Sequence, residues 1–341
     1  MQRVKTPWIA LAALAGLHGL IALAGFFAPY DPERQDRMLA FAPPTRIRFV
    51  DARRKFHARP FVYRWIPKPG SFGEYEEDRT VMFPTRVFVA GFEYGVLGLY
   101  RSQRHLFGTD WGGRISLMGT DGYGRDEFSR LLYGGRTSLL AGLLATAVSL
   151  SLGMVLGGCA GYFGTWVDEI LMRTAEVFMA MPWLYLLLAV RAFLPLHITS
   201  GALFLLLVTL LGSIGWARPA RLIRGVVLSA KEREYVLAAR GFGASHVYLL
   251  RVHILPQAWS VALTQAALLI PQYIVVEVTL SFFGLGISEP AASWGNMLAV
   301  LQQYSVLESD WWLFAPAAML IAVLLAYQRV FSFCVSRNTV G

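Results

Sequence analysis

The sequence predicts an all-α membrane protein with six transmembrane helices and a mixed, β-containing insertion outside the membrane between the first and second helices. Three observations lead there. Of the 341 residues, 55% are hydrophobic and only 16% charged, with a mean hydropathy of +0.48, too apolar for an ordinary soluble domain. The apolar residues are gathered into runs near the roughly 20 residues needed to cross a bilayer. The net charge of +9 lies mostly in loops flanking those runs, which fits membrane orientation and lipid headgroups better than nucleic acid.

The first run covers 7–29, preceded by Arg3 and Lys5. A signal peptide is the competing reading, but AGFFAP offers no A-x-A cleavage site, so an uncleaved helix with a cytoplasmic amino end is expected. Residues 30–136 are polar, aromatic and rich in Pro and Arg. They are placed outside the cytoplasm, because the positive-inside rule governs short loops and not one of this length. Within them, Thr80–Tyr100 reads as short strands broken by Pro84 and Gly91. The turn signals D-W-G-G and D-G-Y-G bracket Arg114–Met118, expected as a hairpin strand. Asp121 and Asp126 sit in a Gly-rich turn without the spaced oxygens of a calcium loop, so both are read as helix caps. GYGRDEFSRLLYG is then a short helix at the outer face.

The segment 137–341 holds the remaining spans, expected at Thr137–Tyr162, Ile170–Leu194, Ser200–Trp216, Ser260–Phe283 and Trp312–Val335. In the first of these, Gly142, Ala145, Ser149, Gly153 and Gly157 recur at three and four, which lets helix backbones approach closely. The loop 217–257 carries Arg218, Arg221, Arg224, Lys231, Arg233, Arg240 and Arg251 against Glu232 and Glu234, so it is read as cytoplasmic. Arg329 and Arg337 agree, placing both termini in the cytoplasm; Gly284–Asp310, with Glu289, Glu308 and Asp310, is then external.

Several charged or aromatic residues are weighed individually. Glu277 lies inside the fifth span, where an ionised carboxylate costs about 2.5–3.5 kcal/mol, so it must face the bundle interior. It is either a pathway or gate residue, or a structural hydrogen-bonding group. Arg191 is expected to snorkel, and Arg173 with Glu176 to form a local ion pair. Arg218, Arg221 and Arg224 are read as headgroup anchors, with a partner protein as the alternative. Trp294, Trp311 and Trp312 are read as interface anchors.

No catalytic machinery is visible. The chain has no G-x-x-x-x-G-K-[ST], H-E-x-x-H or G-x-S-x-G motif and no intramembrane carboxylate pair. Cys159 and Cys334 form no C-x-x-C, and His18, His57, His105, His197, His246 and His253 form no H-x-x-x-H, so no metal or cofactor is expected on the chain itself. A membrane enzyme is therefore disfavoured, while a polytopic receptor or channel with a structural inner loop stays open. The most informative segment is 234–257, polar, basic and helix-forming between two apolar stretches. Val236, Ala239, Gly243, Val247 and Leu250 define one face; Ala238, Ala239, Gly241, Gly243 and Ala244 make the surface flat and suited to docking on another protein. Gly243 is placed to break the helix, and Pro256 marks re-entry into the membrane.

This segment resembles the E-A-A-x-x-x-G signature of bacterial ATP-binding-cassette importer permeases, with Ala238, Ala239, Gly243, Leu255 and Pro256 in register and Leu237 where the signature has Glu. GTDGYGRDEFSRLLYGGRTSLL (119–140), AGYFGTWVDEILMR (160–173), ARLIRG (220–225), LSFFGLGI (280–287) and SWGNML (293–298) resemble the second permease of the dipeptide, oligopeptide and nickel branch. The resemblance implies the type I permease fold in a bacterial inner membrane. It also implies a heterodimer with another permease, two ATPase subunits that bind ATP and magnesium, and an external substrate-binding protein. It makes Glu234, Tyr235, Ala238, Ala239, Arg240, Gly243, Ala244, Leu255 and Pro256 the ATPase-coupling residues and Glu277 a candidate for the pathway. Peptides are the expected cargo.

Overall fold

The computed structural model describes residues 8–71, 73–96, 100–109, 112–182, 185–186, 189 and 199–338. The chain divides into two compact units. One comprises Met1–Pro7, Leu139–Glu277 and Tyr327–Gly341, and the other Trp8–Ser138 and Val278–Ala326.

In the second of these, α1 (Trp8–Ala22) and the single turn α2 (Ala24–Phe27) run into a four-stranded antiparallel sheet of order β1-β2-β3-β4. The strands are β1 (Arg48–Val50), β2 (Phe56–Pro67), β3 (Tyr75–Val96) and β4 (Tyr100–Thr109). β3 is one long strand; Pro84 and Gly91 do not cut it into short ones. Pro84, which lacks a backbone donor, stands where β3 changes partner, its lower half pairing with β2 and the part from Thr85 onward with β4. Gly91 makes room for a ring: a Cβ there would lie 2.5 Å from His105 Cδ2, and the buried His105 places its Nδ1 2.8 Å from Gly25 O.

Arg114–Met118 is not a strand. Its backbone groups are satisfied elsewhere: Ile115 N–H donates to Tyr30 Oη at 2.8 Å, and Ser116 N–H to Thr45 Oγ1 at 3.0 Å. Burial pushes the Tyr30 phenol up to about 12, so it stays neutral. The two aspartates of the following turn have different tasks. Asp126 caps the next helix, accepting from Ser129 N–H at 2.8 Å and Ser129 Oγ at 2.7 Å. Asp121 closes the turn instead, accepting from the Tyr123 and Arg125 N–H groups and pairing with Arg125 Nε at 2.7 Å.

The helix so capped, α3 (Glu127–Phe163), runs 37 residues without a break, so no separate surface helix precedes the span. Gly134 and Gly135, within its amino half, serve close packing: a Cβ on either would crowd Ser293 or Trp294. Its length is about 55 Å, well beyond the ~30 Å apolar thickness of a bilayer, and its surplus is the polar stretch with Glu127, Arg130 and Arg136. Trp294 and Trp312 are core residues rather than interface anchors. Trp294 Nε1 donates to Leu131 O at 3.0 Å and Trp312 Nε1 to Thr120 O at 3.2 Å, while Trp311 alone of the three is exposed.

The other unit is built on the carboxyl half of α3. It contains α4 (Thr165–Ala180), α5 (Ser200–Gly215), α6 (Ala217–Ala230), α7 (Glu234–Gly241) and the greater part of α8 (His246–Phe282). The predicted span Ile170–Leu194 is seen as α4, which ends before Pro182, and as helix at 185–186 and 189; Arg191 and the remaining positions lie outside the described residues. α5 and α6 form a bent pair at 43°. Pro219 causes the bend, since it cannot donate to Gly215 O and its ring crowds that carbonyl. Among the described residues, three helices are long and apolar enough to cross a membrane, Glu127–Phe163, His246–Phe282 and Trp311–Ser332, or four if the bent pair counts as one. α1 is apolar but has 15 residues.

Small residues on α3 hold this unit together. A Cβ on Gly142 would meet Ile274 Cγ1 at 2.5 Å, on Gly153 Pro219 Cβ at 2.8 Å, on Gly157 the Ala220 Cα at 2.8 Å, and on Gly161 Val227 Cβ at 2.8 Å. Ala145, Ser149 and Ala160 on the same helix are fully buried, and Tyr273 Oη donates to Ser149 Oγ at 3.2 Å. Lipid chains are as apolar as leucine, so helices in lipid associate by such close van der Waals approach. Gly157→Val is therefore expected to lower the thermal midpoint of the detergent-solubilised protein by several degrees or abolish its accumulation. Gly225→Val, where a side chain meets open space, should cost only a β-branched residue's helix propensity, about 0.6 kcal/mol, read by the same melt.

Candidate functional site

The segment 231–258 is a set of short helical pieces laid on a platform. The platform is the apolar side of α6, where Ile223, Val227 and Ala230 are buried. Val236, Leu249, Ile254 and Ala258 close onto them, flanked by Met154, Tyr162, Ala239, Ala244 and Leu255. An eight-residue helix such as α7 is marginal in water on its own, so this packing is what makes it helical. Burying Val236 and Leu249 is worth roughly 1.5–3 kcal/mol each.

Gly243 ends α7 with φ of +86°, in the left-handed region. Its N–H donates to Arg240 O at 3.0 Å, and Ala244 N–H reaches back to Ala239 O at 3.1 Å. This pair of bonds is the Schellman arrangement, which satisfies carbonyls that a helix end leaves open. Two residues on, Ser245 Oγ accepts from Tyr248 N–H at 3.3 Å and starts α8. α8 is irregular at first, with a π turn at Leu249–Ile254 and a 3-10 turn at Leu255–Ala258. Pro256 supplies no N–H there, and Leu255 N–H bonds five residues back to Leu250 O.

Polar ties fix the segment to its surroundings. Lys231 Nζ donates to Gly161 O at 3.0 Å, satisfying a carbonyl in the last turn of α3. Tyr162 Oη and His246 Nδ1 lie 2.7 Å apart, and Gln257 Nε2 bonds to Tyr235 Oη. Leu255 packs against Gly158 of α3. Two of the three arginines of α6 have carboxylate partners within the chain. Arg224 forms a two-pronged ion pair with Asp168 of α4, and Arg221 lies 3.9 Å from Glu176, which also pairs with Arg173 at 3.2 Å.

The sequence-predicted residues are thus brought together but face different ways. Ala239, Ala244 and Leu255 turn toward the platform. Glu234, Tyr235, Ala238, Arg240, Gly243 and Pro256 face outward. The single face expected through Val247 stops at Gly243, because the left-handed turn resets the helical phase; Val247 is 73% exposed and Leu249 is buried in its place. The exposed surface is also less flat than its small residues suggested. Phe242 is 93% exposed and Leu237 46%, so an aromatic knob and a branched apolar side chain stand beside Ala238 and Gly241. Sequence reasoning passed over Phe242; its signal was a large aromatic in a cap position otherwise filled by small residues. Such a rigidly backed surface with an exposed aromatic is equipped to dock a protein.

A separate cavity of about 150 Å³ lies among α4, α5, α6 and α8, with Phe178, Leu211, Arg218, Gln272, Tyr273 and Val276 in its wall. Glu277 is fully buried, as a carboxylate in a span must be, and is not part of that wall. Among the described residues, no group of three or more His, Cys, Asp or Glu is placed to hold a metal ion.

The left-handed turn gives a direct test. Gly243→Val is expected to destabilise the segment by about 1–2 kcal/mol through backbone strain, while Gly243→Asn, which tolerates this region, costs less. Faster hydrogen exchange across 234–248 in the first variant only is the expected reading.

A family profile described as "Binding-protein-dependent transport system inner membrane component" matches residues 151–337. The chain is 38% identical over 209 residues to a Brucella suis biovar 1 protein described as a peptide permease, covering 61% of this chain and 67% of the relative. It is 38% identical over 211 residues to the dipeptide transport system permease protein DppC of Bacillus subtilis, covering 62% and 64%. It is 36% identical over 217 residues to the oligopeptide transport system permease protein OppC of the same organism, covering 62% and 68%. A solved amino acid ABC transporter superposes with a TM-score of 0.45 at 20% identity, over 61% of this chain and 94% of that one.

Proposed function

The chain belongs to the family of binding-protein-dependent transport system inner membrane components, and on that premise we propose that it is the membrane-spanning subunit of an ATP-driven importer of peptides. It is a permease subunit, not an enzyme, and ATP is hydrolysed by partner subunits. The observation that carries the docking reading is the segment 231–258. It lies inside the family match, is bonded at both its ends to the last turn of α3, and presents Phe242 and the small residues around it outward.

In this reading the surface formed by Glu234, Tyr235, Ala238, Arg240, Phe242 and Gly243 seats on an ATPase subunit in the cytoplasm. A second permease completes the pathway, a binding protein delivers cargo from outside, and both termini are cytoplasmic. Each partner can shift the permease only by binding one of its states more tightly than the other. Motion of the ATPase reaches the spans through the ties already described, Lys231 to α3 and the continuous rise of α8 from the docked turn. Glu277 is the residue proposed to sense the pathway from within α8. Leu237 in place of a glutamate makes the docking apolar and shape-dependent, and Phe242 supplies the apolar contact.

Phe242→Ala removes this knob without touching the platform. It is expected to weaken docking roughly 30-fold, the effect of losing about 2 kcal/mol at an aromatic anchor, with the chain still inserted at wild-type abundance. Co-purification of the ATPase checks it; undiminished recovery sinks the docking assignment. The cargo is tested in an auxotrophic host lacking this gene. Growth on a dipeptide source should return with the wild-type gene and not with Phe242→Ala, whereas restored nickel uptake without peptide uptake would reassign the cargo.

A further inference from the structure

The hairpin of β3 and β4 is fixed to α2, the single turn that follows the apolar helix α1. We propose that Val87 and Phe88 of this hairpin insert into the bilayer surface at the carboxyl end of α1, so that the sheet is itself a lipid-binding element. The inference uses the membrane location of the family and not the cargo.

α1 leaves part of the bilayer uncovered. Among the described residues it has 15 residues and is about 22 Å long, against the ~30 Å apolar thickness of a bilayer. The helix breaks at Leu23, which is 40% exposed. Beyond the break α2 offers lipid little. Ala24 and Gly25 are buried, and the Tyr94 ring lies so close to Gly25 that a Cβ there would meet it. His105 Nδ1 donates to the Gly25 carbonyl from the same hairpin. Contact with the bilayer past Leu23 therefore falls to those side chains of the hairpin that α2 does not cover.

The pleat decides which these are. Side chains alternate along β4, so Arg101, His105 and Phe107 share one face. His105 seats that face on α2, and Val87, paired with Phe107, belongs to it. Val87 is left 69% exposed. Phe88 would point the other way in a regular strand. Its φ of +57° lies instead in the left-handed region, which large side chains rarely adopt. Its ring centroid lies 6.2 Å from that of Phe26 on α2, while the residue stays 61% exposed. Backbone strain of this kind persists where the surroundings fix it, and it gathers at contact sites. Val87 and Phe88 thus make one apolar patch, continuous through Phe26 with Leu23 and the exposed apolar surface of α1. Neither side chain has a hydrogen-bonding group, which suits hydrocarbon. A polar boundary limits the depth. Further along the same face Arg101 pairs with Glu93 at 3.1 Å, both exposed, as befits the headgroup layer.

The test uses the whole transporter in lipid nanodiscs, on a Cys159→Ala, Cys334→Ala background. A nitroxide label is placed on Val87→Cys, Phe88→Cys or Lys68→Cys. Lys68, at the turn between β2 and β3, is the aqueous reference. Power saturation reads collisions with oxygen, which concentrates in hydrocarbon, and with a nickel chelate, which stays in water. The labels on Val87→Cys and Phe88→Cys are expected to favour oxygen and that on Lys68→Cys the chelate, so that the ratio of the two reverses. Preference for the chelate at the first two sites overturns the proposal by leaving the patch in water. Shielding from both reagents overturns it as well, by giving the patch to a protein neighbour. Should Phe88→Cys fail to fold, Val87→Cys, whose backbone is that of an ordinary strand, gives the reading alone.

Discussion

The structure of the unit carrying the segment 231–258 depends on the absence of side chains along one stripe of α3. Gly153, Gly157 and Gly161 let the backbone of α6 approach until Ala220 and Val227 touch α3 directly. That approach brings Ile223, Val227 and Ala230 into position as a platform, and the platform is what folds α7 and the first turns of α8. In a soluble protein, burying larger apolar groups would do this work. In lipid there is no such gain, so contact distance and fit decide. The segment 231–258 is thus stabilised by residues up to about a hundred positions away in the chain.

The same segment shows how a short surface element is held in place. α7 has eight residues and no side-chain cap at its start. Its end is closed by the left-handed Gly243, its flanks by Lys231 on a helix-end carbonyl and His246 against Tyr162. No single tie is strong, since exposed hydrogen bonds contribute about 1 kcal/mol each. Both side-chain ties land on the last turn of α3, and the apolar packing adds α6, so any displacement of the segment strains α3 and α6 together. The two-pronged Arg224–Asp168 pair extends this to α4.

Charged residues elsewhere follow a related logic. Arg125 and Arg130 are buried only because Asp121 and Glu289 meet them, and breaking such a network strands a charge. That network is not visible in the chain's composition, where a net +9 merely places basic groups near membrane ends.

Much was legible in the residues themselves. The helical character, the small-residue stripe of α3, the cap at Asp126, the break at Gly243 and the family blocks are local patterns, and local patterns are set by backbone sterics and side-chain chemistry at fixed spacing. The Arg173–Glu176 pair was legible for the same reason. What needed the tertiary structure was long-range pairing. β3 runs through Pro84 because its partner changes there, and Ile115 is not in a strand because Tyr30, far away in the chain, takes its N–H. Trp294 and Trp312 became core residues because distant carbonyls, of Leu131 within α3 and of Thr120 before it, accept their indole donors. Phe242 became the exposed knob because it follows Tyr235 and Ala238 on the face of α7 opposite Val236, which packs on α6. Spacing along a chain determines which groups can neighbour each other within one element; only the closing of separate elements decides which of them are left facing a partner.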